Sequence, residues 1–204
     1  MKSFVLIAAL ALACPAVAET YGKYETPQYS VLEQDGSFEI RQYEPALMAE
    51  VTVRSSQSGA LRQGFQILAG YIFGGNTSAA NVAMTSPVAQ APAENIAMTS
   101  PVTQTGGDGL WTVQFMMPSQ YTMDTLPEPK NDAIRFVMSH PGRQVAVRFS
   151  GWAGSGRLVA KEAELRAYAA REGLNITGPA QYLIYDDPLT LPWQRRNEVA
   201  LPIE

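Results

Sequence analysis

Asn81-Val82-Ala83-Met84-Thr85-Ser86-Pro87-Val88 is answered 14 residues later by Asn95-Ile96-Ala97-Met98-Thr99-Ser100-Pro101-Val102, the same octet with Ile96 in place of Val82. On an extended chain, successive side chains face opposite ways. Val82 or Ile96, Met and Ser then share one side, and Ala, Thr and Pro the other. Proline cannot donate to a ladder, so each octet is expected along a sheet edge or as a strand that ends at Ser-Pro. Residues 89–94 connect the two. Two readings of the methionines stand side by side. Either they fill the core of two similar hairpin arms, or Met84 and Met98 line an adaptable apolar pocket, a use that suits the flexible thioether.

Working outward from the octets, the upstream chain reads as three short strands and a helix. Residues 19–28 carry polar groups and a proline and read as a loose leader. Residues 29–34 alternate, Asp35-Gly36 marks a hairpin turn, residues 38–43 alternate again, and residues 47–53 form a third strand. In residues 38–43 the alternation sets Phe38, Ile40 and Gln42 against Glu39, Arg41 and Tyr43. Ser55-Ser56-Gln57-Ser58 offers N-caps to a helix in which Leu61, Phe65, Leu68 and Ile72 recur at spacings of three and four. Gly64 and Gly70 weaken that helix and leave room for a close neighbour, and Gly74-Gly75-Asn76 ends it.

Downstream, residues 105–109 are a glycine-rich break, 111–117 a strand, and 118–132 a loop with three prolines. Strands follow at 134–138 and 144–149, a helix at 158–172, and strands at 181–185 and 198–201. Leu158, Leu165, Tyr168 and Ala169 are expected on that helix's core side. Strands, helix, strands therefore occur twice. The pattern predicts an α+β protein of two similar halves, residues 29–104 and 109–204, fused into one domain because neither half covers its sheet alone.

Composition narrows the function. Met1-Lys2, the apolar run of residues 4–13 and Ala16-Val17-Ala18 read as a secretory signal peptide over residues 1–18. That run is too short to span a bilayer. Lipid attachment at Cys14 is disfavoured, because Leu12 sits one place too near the cysteine. The expected mature chain, 19–204, is exported, periplasmic in a Gram-negative cell, and holds neither disulfide nor thiolate. Loss of Lys2 takes the net charge from −4 to −5, and no basic tract exists beyond Arg195-Arg196. Nucleic acid and anionic membrane surfaces are poor partners on that count.

The usual catalytic sets are missing. His140 is the only histidine, so no two-histidine metal site can form. There is no Gly-x-Ser-x-Gly elbow, and the glycines of residues 151–156 lack the lysine and spacing of a phosphate loop. Glu39, Glu44, Glu50, Asp186 and Asp187 are scattered carboxylates that read as a solvated face. Most of the eight methionines read as core, and some are available to line an apolar pocket for a large flat ligand. Residues 185–198, a proline-held apolar loop before paired arginines, read either as a rigid closing loop with Arg196 paired to Glu198, or as a lip over that pocket.

Three stretches together resemble the SOUL heme-binding proteins. The first runs from Ala60-Leu61-Arg62 through Tyr71 and Gly74-Gly75-Asn76 into residues 82–88. The second is Arg148-Phe149-Ser150-Gly151, and the third runs from Tyr185-Asp186-Asp187-Pro188 to Arg195-Arg196-Asn197-Glu198. The resemblance implies a distorted antiparallel β-barrel with two helices, built from two pseudo-symmetric halves. It also implies a heme or other tetrapyrrole in an apolar groove between the first helix and the loop before the last strand. Arg62 matches a helix arginine that meets a propionate, Phe65 an apolar groove position, and Tyr185 a tyrosine at the groove mouth. The early-strand histidine of some members is missing from residues 38–53, and Gly70 replaces a lysine frequent on the first helix. Iron ligation, if present, then falls to a Met or a Tyr, with Met84 or Met98 first; the alternative is binding through apolar contact and Arg62 alone. The function expected is a non-enzymatic carrier or buffer of a porphyrin. The rival is a small-molecule hydrolase of the architecturally similar gyrase-inhibitor-like group, using a pocket glutamate such as Glu39 or Glu50. A third reading is an interaction module without a small ligand.

Overall fold

Among the described residues, period-two alternation of apolar residues makes nine strands of four residues or more: β1 Tyr29–Asp35, β2 Phe38–Tyr43, β3 Ala46–Arg54, β4 Val102–Gly107, β5 Leu110–Met116, β6 Arg135–Ser139, β7 Arg143–Phe149, β8 Gln181–Ile184 and β9 Asn197–Ile203. The structure, a computed structural model, describes residues 20–78, 93–139 and 142–204. The leader with Cys14, the first octet with Met84, and His140 lie outside the described residues.

All nine strands belong to one antiparallel sheet, in the order β6-β3-β5-β4-β8-β9-β7-β2-β1. The sheet curls into a half-barrel that carries two helices, α1 Gln57–Ile72 and α2 Ser155–Arg171. Helix α1 packs on β3, β4 and β5, and α2 on β7 and β9. This is the expected two-helix antiparallel architecture, opened at β6 and β1.

The expected internal symmetry is present, with a different seam. One half is β2-β3-α1-β4-β5 and the other β6-β7-α2-β8-β9. In each half the last strand lies between the second and third, and β4 meets β8 at the centre. The first strand of each half crosses over: β2 pairs with β7, and β6 with β3. The break expected at residues 105–109 is instead a hairpin turn. Gly107 pairs with Leu110, and Asp108 and Gly109 take φ of 51° and 79°, the left-handed pair of a two-residue type I′ turn. Residues 110–116 therefore belong to the first half.

The second octet is not a strand that ends at Ser-Pro. Residues 95–101 make only isolated bridges, Phe73 with Asn95 and Glu25 with Thr99, and β4 begins after Pro101. The proline, without an N–H, delays the ladder until Val102. Nor are residues 20–28 loose. Thr20–Tyr21 and Tyr24–Glu25 form a small ribbon, Thr26 is buried, and the Ser100 N–H donates to the Glu25 carbonyl at 3.0 Å.

Two apolar cores flank the seam. Leu68, Tyr71 and Ile72 of α1 sink onto Val51, Val113 and Phe115, and Leu165, Tyr168 and Ala169 of α2 onto Val147, Val199 and Leu201. Helix α1 is capped by Ser56, whose hydroxyl accepts from the Gly59 N–H at 3.3 Å. Gly64 explains the close approach of α1 to the sheet, since a Cβ there would meet Val113 Cβ at 2.6 Å. Gly70, by contrast, faces open space among the described residues.

Gly64→Ala is therefore expected to destabilise the protein by about 1–3 kcal/mol in urea unfolding, through overpacking. Gly70→Ala is expected to be neutral or to stabilise by up to about 1 kcal/mol, through helix propensity.

Candidate ligand cavity at the seam

A helix with apolar positions at spacings of three and four can bury only part of that stripe on a sheet. In α1 the rest turns to a second surface. Ser58, Leu61, Arg62, Phe65 and Gln66, one face of the helix, form one wall of a cavity of about 430 Å³. Met98, Thr99, Ser100 and Val102 supply its floor, and Ile184, Tyr185, Asp186, Asp187 and Pro188 the opposite wall, with Tyr24 at its edge. The volume falls within the roughly 300–1,000 Å³ of small-molecule sites.

Four residues singled out in the sequence, Arg62, Phe65, Met98 and Tyr185, thus share one cavity although 123 positions separate the first from the last. Met84 lies outside the described residues. Met98 joins the two readings of the methionines: it packs against the first core and lines the cavity. Phe65, matched by the resemblance to an apolar groove position, lines the cavity instead of sinking into the sheet. It is 37% exposed, braced edge-on against Phe115 at 5.5 Å, and offers a ring face to the cavity.

The polar wall groups are mostly spent. Thr99 Oγ1 donates to the Met116 carbonyl at 2.6 Å, and Ser100 Oγ to the Tyr185 carbonyl at 3.0 Å. Asp186 accepts from the Arg196 N–H at 2.6 Å and from the Tyr21 hydroxyl at 3.1 Å. Asp187 accepts from the Leu189 and Thr190 N–H groups at 2.8 and 3.1 Å. Arg62 is exposed and enters no ion pair with another described residue. Among the described residues the cavity therefore presents mainly apolar surface and aromatic ring, with the Arg62 guanidinium unpaired at its wall.

Beneath the wall lies a buried charge cluster that alternation did not reveal. Reading residues 38–43 as one apolar and one polar face put Arg41 outside, yet it is 1% exposed. That second face looks into the curl of the sheet, where Glu198, 0% exposed, receives it. Arg41 Nη1 and Nη2 reach the two Glu198 oxygens at 2.6 and 3.0 Å. Arg196 Nε donates to Glu198 Oε1 at 2.8 Å, and the Tyr185 hydroxyl to Oε2 at 3.0 Å. Arg196 also lies 4.1 Å over the Tyr185 ring. The Arg196–Glu198 pair expected of a rigid closing loop is thus present, and the loop it anchors also forms cavity wall. Tyr185 gives the cavity its backbone and ring, because its hydroxyl points the other way.

Burial alone would raise the Glu198 carboxyl, but the hydrogen bonds and charges of Arg41 and Arg196 outweigh it and hold the group below the usual carboxylate range. Burial and the neighbouring Glu198 charge push the Tyr185 hydroxyl well up, so it stays a neutral donor.

Neither Glu39 nor Glu50 lines the cavity. Glu39 pairs with Arg41 at 2.7 Å, and Glu50 accepts from Gln114 at 2.8 Å on another part of the sheet. Among the described residues no group of three or more His, Cys, Asp or Glu could hold a metal ion. Sequence reasoning missed Tyr24, whose segment looked like an unstructured leader. Its tyrosine-rich composition was the available signal.

An antiparallel half-barrel with two helices and an apolar, largely preformed cavity between its halves defines a small-molecule-binding class of protein. Within that class the relationship is specific: the model of the SOUL heme-binding protein family matches residues 24–202, and the chain belongs to that family. Heme-binding protein 1 of Sus scrofa is 28% identical over 190 residues, which cover 89% of this chain and 94% of the relative. Heme-binding protein 1 of Xenopus laevis is 30% identical over 174 residues, covering 82% and 84%. The crystal structure of a hydrolase from Listeria innocua superposes with a TM-score of 0.54 at 15% identity, over 85% of this chain and 94% of that one, a likeness of fold.

Removing the shared acceptor with Glu198→Ala, which leaves Arg41 only its Glu39 contact, is expected to cost about 3–5 kcal/mol in chemical unfolding. The pH dependence has a definite sign. A carboxyl held low in the folded state contributes stability above its unfolded pKa and loses it as pH falls through the folded value. Melting temperature should therefore drop on acidification below the ordinary carboxylate range, and Glu198→Gln should flatten that acid limb.

Proposed function

We propose that this chain binds heme or a closely related tetrapyrrole in the seam cavity, as an exported carrier or buffer rather than a catalyst. The observation that carries this reading is the meeting of Arg62, Phe65, Met98 and the Tyr185–Pro188 segment around one apolar space. Family membership and relatives named heme-binding protein 1 support the ligand class. The leader of residues 1–18 supports export.

The residues present fit such a group. Phe65 and Leu61 offer a flat apolar wall to a macrocycle, and Met98 adapts to its edge. Arg62, unpaired at the rim, suits a propionate, because a guanidinium forks onto a carboxylate. Asp187 on the facing wall would disfavour a propionate there. Heme would bring iron and its redox chemistry. Met98 is the one methionine among the described lining residues, and no histidine is among them. Tyr185 would have to give up its bond to Glu198 to become a ligand. Recognition then rests on the macrocycle and propionates more than on the metal.

A hydrolase, the activity for which the Listeria innocua protein is named, calls for an acid or base in the cavity. The described lining carboxylates, Asp186 and Asp187, are both engaged in holding the loop.

Hemin and metal-free protoporphyrin, titrated in parallel by absorption spectroscopy, should both bind saturably. Arg62→Ala should weaken both about fivefold, roughly 1 kcal/mol for one exposed charge-assisted contact. Phe65→Asp should abolish both. Failure of both porphyrins to bind, or affinity unchanged in both variants, would sink the reading. Fractionation of cells expressing the full chain should place the protein outside the cytoplasm.

A further inference from the structure

Past the cavity wall the chain runs Pro188-Leu189-Thr190-Leu191-Pro192-Trp193, and it turns its apolar side chains outward. Leu189 is 92% exposed, Trp193 70% and Leu191 48%, and Trp152, just ahead of α2, is 63% exposed. A large apolar side chain displayed alone is ordinary, but four on one projecting surface call for a partner.

The surface is not slack. Asp187 accepts from two loop N–H groups, Arg195 Nε donates to the Thr190 carbonyl at 2.8 Å, and Arg195 Nη2 to the Pro188 carbonyl at 2.7 Å. The Gly151 N–H donates to the Pro192 carbonyl at 2.8 Å, and Asn197 Nδ2 to the Gly151 carbonyl at 3.0 Å. Pro188 and Pro192 have no N–H to satisfy. Much of the backbone polarity is thus met from within, which is what insertion into a medium without hydrogen bonds requires.

Charge chemistry narrows the partner. The Arg195 guanidinium lies over the Trp152 indole at 4.2 Å, a cation at the foot of the apolar tip. Projecting leucines, exposed indoles and a basic group behind them match the layers of a bilayer surface, where aliphatics enter the acyl region, indoles sit at headgroup level and cations meet phosphates.

We propose that residues 188–193 with Trp152 and Arg195 form a membrane-contact element that seats Leu189, Leu191 and Trp193 in a phospholipid surface. Asp187 and Pro188 are cavity wall, so this contact holds the cavity beside the bilayer, where an apolar ligand is dissolved. That use of the contact rests on the tetrapyrrole reading; the contact itself does not. With a net charge of −4 the attraction is apolar rather than electrostatic, and it should survive salt.

The test is flotation of the ligand-free protein with phosphatidylcholine vesicles at low and high salt, with brominated lipid as a quencher of tryptophan fluorescence. The protein should float at both salt concentrations and its fluorescence should fall. Leu189→Ser combined with Trp193→Ser should keep its circular dichroism and porphyrin affinity, and lose about tenfold or more in vesicle partitioning. A parent protein that stays unbound, or a double variant that floats equally well, overturns the proposal and gives the surface to a protein partner. Flotation without porphyrin binding would sink the tetrapyrrole reading alone.

Discussion

A carboxylate without solvent contact must be paired and hydrogen-bonded on every side, and Glu198 meets that demand by drawing four parts of the chain together. Arg41 comes from β2, Arg196 from the turn into β9, Tyr185 from the end of β8, and Tyr29 from β1 through its bond to Arg196. The bidentate geometry and the tyrosine bond offset a desolvation cost that would otherwise neutralise the acid. Tyr43 adds a further bond to Arg41 at 2.9 Å. Removal of Glu198 or Arg41 leaves its buried partner short of a counter-charge, and the tyrosine hydroxyls complete the hydrogen bonding, so the cluster acts as one unit. Its position ties the end of the open sheet to the loop that walls the cavity.

The cavity exists because the two halves do not close on each other completely. Strands β4 and β8 meet at the centre, and the exchanged first strands β2 and β6 lock the halves into one sheet. Above the β4–β8 pair, α1 leaves part of its apolar stripe facing space instead of strand. The same charge cluster that anchors Tyr185 fixes the opposite wall, so the site is preformed on rigid elements. The outward loop of residues 188–193 is held by the same region, through Asp187, Arg195 and the Gly151–Asn197 link.

Much of this was legible from local pattern. Period two placed the strands, period three-to-four placed both helices, and Leu158, Leu165, Tyr168 and Ala169 are buried as their spacing demanded. Turn chemistry was read less well. Asp108-Gly109 lay inside a run of glycines and looked like a break, although Asp-Gly between two alternating segments is a type I′ hairpin signal. The second octet looked like a strand because it alternates. Proline at the seventh position, and the bridges of residues 95–99 to other segments, decided otherwise.

The sequence by itself determined most of the element types, the doubling and the family, and it singled out Arg62, Phe65, Met98 and Tyr185 of the residues that meet in the cavity, because periodicity and motif spacing are local properties of the chain. Only the tertiary structure decided which face of each element is wet. Arg41 reads as a surface residue until the curl of the sheet encloses it with Glu198. Tyr21 and Tyr24 read as leader until their ribbon lies across Tyr185 and the cavity edge. In each case burial is set by what packs from a distant part of the chain, and no window of neighbouring residues contains that information.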